Sequence, residues 1–460
     1  MKDALCKRSV LMEEMKEMKD CKRLIAGFNV TGQQVSSCGG HPLKGSLASL
    51  GAEACRRGAD QIWVRDGSQD DEEHENVIGQ IKELAKEADE PIFAGGRIKR
   101  LEDVKKYLYA GASAVFLDAA IPENVDLISE AAGRFGPEKI YVMVPDENWV
   151  CRAPEYARLG ASGIMVPWEG SEKSGKEEHL LEEIRKLPPE GEQPFNWILL
   201  SLGLKPAGTP ALAAALKEPE ISAVVLNPAN LDTEDFMELK QHLKGCGIPV
   251  DTFESSLEWA DFKTNSDGLV PAIVQDYKTS QVLMMAYMNE QAFEDTLRTG
   301  RMHYYSRSRK SQWLKGETSG HFQYEKSLKI DCDRDTILAV VHQIGPACHT
   351  GNTSCFFTTL AEKDYRQTNP LKVFEDVYQV ILDRKEHPKE GSYTNYLFDK
   401  GIDKILKKVG EEATEIVIAA KNPNPEEVKY EIADFLYHMM VLMAQKGISW
   451  EEITKELADR

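Results

Sequence analysis

Residues 92–120 read IFAGGRIKRLEDVKKYLYAGASAVFLDAA and indicate the fold of the first half of the chain. Two short apolar runs, Pro91–Ala94 and Ala114–Leu117, flank a segment of helical character. Short apolar runs of this kind are typical of parallel strands that are buried on both faces. A strand, a helix and a second strand in this order predict one βαβ unit.

The same alternation extends in both directions, from Arg23 to about Val250. Its strand candidates are Leu24–Val30, Gln61–Arg65, Pro91–Ala94, Ala114–Leu117, Ile140–Val144, Gly163–Val166, Trp197–Leu200 and Ala223–Leu226. Eight strands that alternate with helices over roughly 230 residues predict a (β/α)8 barrel. Gly-Ala pairs precede three strands, at Gly58, Gly111 and Gly160, and the first and third lie about 100 residues apart, which suggests a duplicated half-barrel. Residues 1–22 predict an amphipathic helical lead-in.

A second informative stretch, residues 330–357, reads IDCDRDTILAVVHQIGPACHTGNTSCFF. In an extended strand Asp331, Asp333 and Asp335 would share one face, and Cys332 would point to the other. Carboxylate oxygens suit Mg²⁺ or Ca²⁺. Three thiolates, from Cys332, Cys348 and Cys355, suit Zn²⁺ with a fourth position open for water.

Two other interpretations of this stretch fit less well. An EF-hand loop that begins at Asp331 requires Gly at its sixth position and Glu at its twelfth, but Thr336 and His342 stand there. Three buried structural cysteines would be ordinary core packing. The polar, glycine-rich surroundings of Cys348 and Cys355 favour metal ligation instead, because core cysteines lie in apolar runs.

From residue 366 to Arg460 the periodicity is helical, with a strong break at Asn422–Pro425. Glu412 and Glu415 precede the break, and Glu431 and Asp434 follow it, each pair at i, i+3 spacing. In two antiparallel helices both pairs would stand at the same depth, roughly 9–15 Å from the turn. A solvated acidic face is the ordinary explanation of one such pair. Two pairs at matched depth predict a divalent cation between them.

Composition sets further limits. A chain of 460 residues is expected to form two to four domains, and its apolar share of 42% is that of a soluble globular protein. Its start has no apolar signal segment, no run of the chain is long enough to span a membrane, and nine cysteines without a secretion signal predict a cytoplasmic protein. The net charge of −19 argues against nucleic-acid binding. A local run of six Arg and Lys residues between Arg298 and Lys315 predicts binding of a small phosphorylated substrate.

The motifs DCDRD, GPACHTG and SCFF, with YYSRSRKSQWLKGETSGH at residues 304–321, resemble phosphoribosyl-AMP cyclohydrolase of histidine biosynthesis. The resemblance implies a small α+β domain, working as a homodimer with Zn²⁺ and Mg²⁺. Zinc would be bound by Cys348 and Cys355 of one subunit and Cys332 of the other, and magnesium by the three aspartates, with His349 as proton carrier. The substrate-binding residues implied are Arg307, Arg309, Trp313, Lys315, Gly316, Glu317 and Thr318.

The last ~90 residues, with GEEATEIVIAAK and YEIADFLYHMM, resemble phosphoribosyl-ATP pyrophosphohydrolase, an all-α helical-bundle enzyme. The resemblance implies Mg²⁺ on Glu412, Glu415, Glu431 and Asp434. It assigns Lys408 to the substrate and Glu411 to catalysis.

The barrel resembles the carboxamide isomerase and the imidazole glycerol phosphate synthase cyclase of histidine biosynthesis, which use paired aspartates at the ends of barrel strands 1 and 5. Here Asn29 replaces the first aspartate, whereas Asp146 remains. Gly95-Gly96 is kept, but Ser201-Leu202-Gly203-Leu204 departs from the second glycine pair. An amide exchanges no proton at neutral pH, so we expect a catalytically silent barrel.

These observations predict three domains: a barrel at 1–250, a cyclohydrolase domain at 251–365 and a pyrophosphohydrolase domain at 366–460. Together they would hydrolyse phosphoribosyl-ATP to phosphoribosyl-AMP and then open the adenine ring. Two alternatives stay open: a non-catalytic, metal-stabilised scaffold, and a trifunctional enzyme with an active barrel. The barrel could also serve to dock another enzyme of the pathway.

Overall fold

A computed structural model describes residues 21–169, 176–187, 195–201, 209–228, 235–366 and 368–458. The chain divides into two compact units, Met1–Phe357 and Thr358–Arg460. The predicted lead-in helix lies outside the described residues, apart from its last two. The predicted order of folds is confirmed: a (β/α)8 barrel, then small sheets with one helix, then an all-helical unit. The finer three-domain boundaries stay a prediction.

The barrel sheet contains all eight predicted strands and one that the sequence did not suggest. In the described residues its strands are β1 (Arg23–Thr31), β2 (Gln34–Ser37), β3 (Gln61–Asp66), β4 (Ile92–Gly95), β5 (Ala114–Asp118), β6 (Ile140–Met143), β7 (Gly163–Trp168), β8 (Asn196–Ser201) and β9 (Ile221–Leu226). The order is β2-β1-β3-β4-β5-β6-β7-β8-β9, and β9 pairs with β1 to close the ring. Only β2 is antiparallel to its neighbour, since it forms a hairpin with β1.

Helices follow most of the barrel strands. In the part of the chain that the structure describes they are α1 (Leu47–Arg56), α2 (Asp71–Glu87), α3 (Leu101–Tyr109), α4 (Pro122–Phe135), α5 (Ala153–Arg158), α6 (Lys176–Lys186), α7 (Thr209–Leu216) and α8 (Phe236–Gly245), with 3-10 turns at Pro137–Lys139 and Glu147–Arg152.

The three Gly-Ala pairs end α1, α3 and α5 in the same way. Gly58, Gly111 and Gly160 have φ angles of +97°, +102° and +102°, a region that suits glycine. Each following alanine donates its backbone N–H to the carbonyl five residues earlier, at 3.0–3.1 Å. This is the Schellman arrangement, which satisfies the last carbonyls of a helix before the chain enters the next strand.

Alternate side chains of the strands fill the inside of the ring, as expected for a small barrel. The largest are aromatic: Trp63 stacks on Phe116 with ring centroids 5.1 Å apart, and Phe93 contacts Tyr141 at 4.9 Å. Large aromatic side chains bury the most apolar area per residue, so this interior is a packed core rather than a channel.

The remainder of the first unit contains a four-stranded sheet, a two-stranded hairpin and one helix. The strands are β10 (Val270–Asp276), β11 (Val282–Met288), β12 (His303–Ser306), β13 (Ser311–Leu314), β14 (Gln323–Ile330) and β15 (Ile337–Gln343), and the helix is α9 (Glu290–Thr299). The larger sheet has the order β11-β10-β15-β14, with β10 and β15 parallel, and β12 pairs with β13. The small α+β fold that the resemblance implied for this region is therefore confirmed.

This sheet packs against the amino-terminal face of the barrel. Asp89 and Glu90 lie in the connection that precedes β4, at that face. Asp235 is the N-cap of α8, whose first turn bonds to Arg57 O just before β3. Lys326 Nζ lies 3.7 Å from Asp89 Oδ2 and 3.9 Å from Glu90 Oε1, and Arg301 Nη2 lies 3.1 Å from Asp235 Oδ2. A cavity of about 270 Å³ lies between the two parts.

Glu325 lines that cavity and is only 5% exposed, and its Oε2 has no hydrogen-bond partner among the described residues. Burial raises the pKa of its carboxyl from 4.5 to about 8. Because the folded pKa lies above the unfolded one, the stability that protonation contributes is complete below pH 4.5 and is lost as pH rises through 8.

Replacing Glu325 with glutamine, which resembles the protonated acid, should remove this loss. We expect the variant and the parent to unfold alike near pH 4.5. At pH 9 the variant should be more stable by on the order of 5 kcal/mol, an upper limit given by about 1.36 kcal/mol per pKa unit. Denaturant unfolding of both proteins across this range measures the effect. Parallel pH profiles would contradict it.

The second unit is helical throughout its regular elements. In its described residues they are α10 (Pro370–Glu386), α11 (Tyr393–Lys400), α12 (Ile402–Ala419), α13 (Pro425–Lys446) and α14 (Trp450–Ala458). The predicted break holds because Asn424 caps α13 by accepting from Glu426 N, and Pro425 occupies its first turn. No described helix of the chain is both long and apolar enough to cross a bilayer.

Candidate active sites

The first candidate site lies just after β15, where the chain turns through residues 345–355. Cys348 is buried, and its thiol contacts the Thr350 hydroxyl at 3.0 Å. This hydrogen bond, together with the Cys355 thiol and the Lys315 charge, lowers the pKa of Cys348. Lys315 is 7% exposed, and burial lowers the pKa of its ammonium group, against the opposing effect of both cysteines. The site therefore favours the thiolate of Cys348, whereas burial and the neighbouring Cys348 raise the pKa of Cys355.

The predicted proton carrier lies at the edge of this site. His349 is exposed, and its Nδ1 is 4.0 Å from Cys348 Sγ. This position leaves the imidazole open to a bound substrate, and its predicted role stays a prediction.

Cys332 does not join the other two cysteines. It lies beyond the opposite end of β15, whose seven residues span roughly 20 Å at about 3.3 Å each. The two groups of three potential ligand atoms found in the described residues are both acidic and contain no cysteine. Within one chain, therefore, Cys332 cannot reach Cys348 and Cys355.

The expectation of an extended strand at residues 331–335 is wrong, because these residues form the turn between β14 and β15. Arg334 has φ +64°, and Asp331 Oδ1 accepts backbone N–H bonds from Asp335 at 2.9 Å and Thr336 at 3.2 Å. The side chains do not alternate here. The turn itself brings oxygens of Asp331, Asp333 and Asp335 within 4.8 Å of one another, all three residues being exposed.

A second part of this region presents the predicted basic and aromatic side chains. Arg307, Arg309 and Trp313 line one cavity of about 440 Å³ around the tip of the β12–β13 hairpin. The Arg307 guanidinium lies 4.1 Å from the centre of the Tyr287 ring, and that of Arg309 lies 5.8 Å from Trp313. Guanidinium groups and half-buried rings together suit a phosphorylated base.

The hairpin leads into the predicted Gly316–Thr318 segment. Gly316 has φ +93°, and a Cβ on it would lie 2.5 Å from the backbone nitrogen of Phe322, so no other residue fits there. Glu317 and Thr318 are exposed in this turn. Lys315, at the start of the turn, donates to His321 O at 3.2 Å, which ties the turn to the cysteine site.

The helical unit brings three of its four predicted carboxylates together. Oxygens of Glu412, Glu415 and Glu431 lie within 4.8 Å of one another, whereas Asp434 stays outside the group. Glu412 is only 5% exposed. Desolvation and the charges of Glu415, Glu412 and Asp434 raise the pKa of Glu431. Crowded, partly buried carboxylates with hard oxygen ligands fit a divalent cation such as Mg²⁺.

Lys408 and Glu411 lie beside this carboxylate group and bind each other. Lys408 Nζ is 3.0 Å from Glu411 Oε2 and 3.6 Å from Glu412 Oε1. The hydrogen bond from Lys408 lowers the pKa of Glu411. Glu411 is thus held as an ionised partner of Lys408, while Lys408 bridges it to the carboxylate group.

The sequence did not predict two residues that support Glu412: His438, which contacts it, and Tyr393, which contacts His438. His438 is buried, with Nδ1 2.9 Å from Asp434 O and 3.6 Å from Glu412 Oε1. A carbonyl only accepts, so Nδ1 carries a proton, and Nε2 lies 3.0 Å from the Tyr393 hydroxyl. The spacing Asp434–His438 is one helical turn, the only signal the sequence offers. Such supporting contacts orient metal-binding carboxylates.

At the mouth of the barrel, where the strands end, Asn29 stands in place of the aspartate of the resembling families. Asn29 Nδ2 donates to Ser37 O at 3.1 Å and to Cys38 O at 3.2 Å, so its amide holds the end of the β1–β2 hairpin. Cys38 then enters the interior core, where its N–H donates to Gly27 O at 2.8 Å. Burial raises the pKa of its thiol to about 12, which makes it inert.

The other predicted barrel positions also have structural contacts. Asp146 Oδ1 accepts from Asn148 N at 2.8 Å and caps the following 3-10 turn. A Cβ on Gly95 would lie 2.2 Å from Phe116 O, and one on Gly96 2.4 Å from Asp66 O, so close packing requires both glycines. Of the Ser201–Leu204 segment, only Ser201 lies within the described residues.

Comparison with known families assigns each part of the chain. Sequence models match phosphoribosyl-AMP cyclohydrolase at residues 284–357, phosphoribosyl-ATP pyrophosphohydrolase at 374–460 and the histidine biosynthesis protein family at 21–178. The class defined by fold and sites is therefore a multidomain hydrolase of histidine biosynthesis, preceded by a barrel of the same pathway.

Curated relatives give the particular family. A histidine biosynthesis bifunctional protein HisIE of Thermoanaerobacter pseudethanolicus is 51% identical over 209 residues, which cover 97% of that protein and 43% of this chain. The HisIE protein of Caldanaerobacter subterraneus is 52% identical over 200 residues, or 96% of its length and 44% of this chain. The chain belongs to the HisIE family of bifunctional histidine biosynthesis enzymes.

Proposed function

We propose that the chain catalyses two consecutive hydrolyses: phosphoribosyl-ATP to phosphoribosyl-AMP and pyrophosphate, then opening of the adenine ring of phosphoribosyl-AMP. The observation that carries this proposal is the pair of separate sites, a carboxylate group in residues 366–460 and a thiol–lysine site in residues 251–365. Each site has the chemistry that its own reaction requires.

In the helical unit, Glu412, Glu415 and Glu431 would bind Mg²⁺, and Asp434 would complete the set. When bound, the ion supplies charge neutralisation of the polyphosphate and orientation of water. His438 and Lys408 hold Glu412 in place. Lys408 also presents an ammonium group to the phosphates, and Glu411 keeps it oriented.

In the cyclohydrolase region, Cys348 and Cys355 would bind Zn²⁺ with Cys332 of a second copy in a homodimer. The length of β15 supports this arrangement, because one chain cannot supply all three thiols. When bound, zinc supplies a water of lowered pKa for attack on the ring. Arg307, Arg309 and Trp313 would hold phosphate and base, the Gly316–Thr318 turn would close over the substrate, and His349 would carry the proton. The three aspartates of the turn at 331–335 would bind Mg²⁺.

The compartment proposed is the cytoplasm. Within the described residues, seven cysteines form no disulfide, as is usual in a reducing environment: Cys38, Cys55, Cys151, Cys246, Cys332, Cys348 and Cys355. Incubating the intact chain with phosphoribosyl-ATP, Mg²⁺ and Zn²⁺ tests the whole proposal. We expect pyrophosphate release followed by the absorbance change of ring opening. A folded, metal-loaded protein that consumes neither substrate would leave the scaffold alternative.

We propose that the barrel is catalytically silent and serves as a platform for the cyclohydrolase region or for a pathway partner. The contacts of Asn29, Cys38 and Asp146 support this, since all three positions at the mouth have structural roles. Assaying the intact chain for isomerase and cyclase turnover separates this proposal from a trifunctional enzyme, which would show a rate within about tenfold of ordinary enzymes.

Restoring the family's aspartate should cost stability rather than give activity. An Asn29→Asp carboxylate would face the carbonyl oxygens of Ser37 and Cys38 without a donor, a loss of about 2 kcal/mol at pH 7. Denaturant unfolding measures it, and Asn148→Asp, at an exposed position, is the control. An Asn29→Asp protein of parental stability, or one with isomerase turnover, would refute the structural role.

A further inference from the structure

Three tyrosine rings form a row on the surface of the helical unit. Tyr393 lies between Tyr396, at 6.2 Å and 24°, and Tyr437, at 6.5 Å and 23°. Rings stacked face to face would be nearer 4 Å, so these near-parallel rings are displaced sideways and leave part of their faces uncovered. Tyr393 is 46% exposed and Tyr396 is 43% exposed. Exposed tyrosine faces of this extent are stacking surfaces for a flat ring.

Two lysines stand at the far end of this row. Lys400 Nζ lies 5.9 Å and Lys404 Nζ 6.0 Å from the centre of the Tyr396 ring, at the outer limit of a cation–π contact. Neither forms an ion pair with any described residue. Two ammonium groups that form no ion pair with the described residues, and that lie beside exposed rings, can bind an anion even in a chain of net charge −19.

Tyr393, at the other end from the lysines, is connected to the carboxylate group through His438. The Tyr393 hydroxyl contacts His438, which contacts Glu412, and Lys408 lies 3.6 Å from Glu412 Oε1. Along the surface the order is therefore carboxylates, Tyr393, Tyr396, then Lys400 and Lys404. These pairwise contacts link the carboxylates, the two rings and the two lysines in that order, and we call this surface the strip.

We propose that this strip is the subsite for the non-reacting end of the nucleotide, which rests on the proposed pyrophosphohydrolase function. The adenine ring lies on the Tyr393 and Tyr396 faces, and the ribose 5-phosphate that distinguishes phosphoribosyl-ATP from ATP pairs with Lys400 and Lys404. The order of groups in the substrate, from polyphosphate through adenine to the second phosphate, is the order of groups along the strip.

Equilibrium binding in EDTA, where nothing is hydrolysed, tests the subsite with two probes, ATP and phosphoribosyl-ATP. Tyr396→Ala should weaken both by about tenfold, as loss of one stacking ring does, whereas Tyr396→Phe should bind as the parent. The double variant Lys400→Ala, Lys404→Ala should weaken phosphoribosyl-ATP by about tenfold and leave ATP unchanged. With Mg²⁺ present, both effects should appear in KM, with kcat within about twofold.

Tyr109→Ala is the matched control, because Tyr109 is 75% exposed with Lys105 5.4 Å from its ring, but lies in the barrel. Parental binding of both probes by Tyr396→Ala would overturn the subsite. So would a lysine variant that loses both probes equally, or Tyr396→Phe as defective as alanine. Binding is measured without turnover, so these outcomes are distinct from failure of the hydrolysis itself.

Discussion

Cys348→Ser protein is expected to lose ring opening of phosphoribosyl-AMP by at least about 10³-fold while it still releases pyrophosphate from phosphoribosyl-ATP. A serine hydroxyl is a poor zinc ligand, and the thiol site and the carboxylate group lie in separate compact units. Zinc content and both activities should be measured on the same preparation. Cys246→Ser, at an exposed cysteine on the barrel side, is the control and should keep zinc and both activities.

The proposed sharing of one zinc site between two subunits can be tested with the same cysteines. Cys332→Ser and Cys348→Ser chains should each be inactive in ring opening. If zinc is shared as proposed, mixed dimers of the two contain one intact site, so an equal mixture should recover about a quarter of the parental activity. No recovery after verified exchange would contradict the shared site. Ring opening by zinc-free Cys348→Ser protein would contradict the zinc assignment altogether.

The second large effect is expected from Glu431→Gln, which should reduce pyrophosphate release by at least about 10³-fold and leave added phosphoribosyl-AMP a substrate. The amide removes one charge from the three-carboxylate group and so weakens binding of the cation. Asp434→Asn should act in the same direction. Pyrophosphate release and Mg²⁺ affinity, measured by titration, are the two readouts.

Glu456→Gln, at an exposed carboxylate of α14, is the control for this experiment. A folded Glu431→Gln protein in which both reactions fail equally would show that the two sites depend on each other. Parental activity with Asp434→Asn would limit the cation site to the three carboxylates that the structure groups.

The order of the folds was predictable because the apolar residues follow a different pattern along each part of the chain. Buried parallel strands give apolar runs, and the eight runs between Leu24 and Leu226 all became strands. The β2 strand was not predictable, because Gln34–Ser37 is short and three of its four residues are polar. It is held by pairing with β1, by burial of Val35 and by the Asn29 amide at its end. Residues 331–335 form a turn instead of the predicted strand with alternating side chains. The reason is that the Asp331 carboxylate accepts backbone N–H bonds from the residues four and five positions ahead.

The candidate sites were predictable where spacing along one helix or one motif determines them. Glu412, Glu415 and Glu431 meet because both helices turn at the same Asn-Pro break. The support from Tyr393 and His438 depends on a third helix, α11, whose placement no spacing in the sequence reveals. The separation of Cys332 from Cys348 likewise follows from the direction of β15, which is a property of the folded sheet.

The two ends of the barrel meet: Lys22 N donates to Pro249 O at 2.7 Å, and Lys22 bridges to Val250. Ends that adjoin are usual for a compact domain with its own hydrophobic core. The relatives match this chain over about 200 residues that make up nearly their whole length, so they have no room for a barrel. The two hydrolase regions thus correspond to nearly whole relatives, and the barrel is an additional part that these relatives lack.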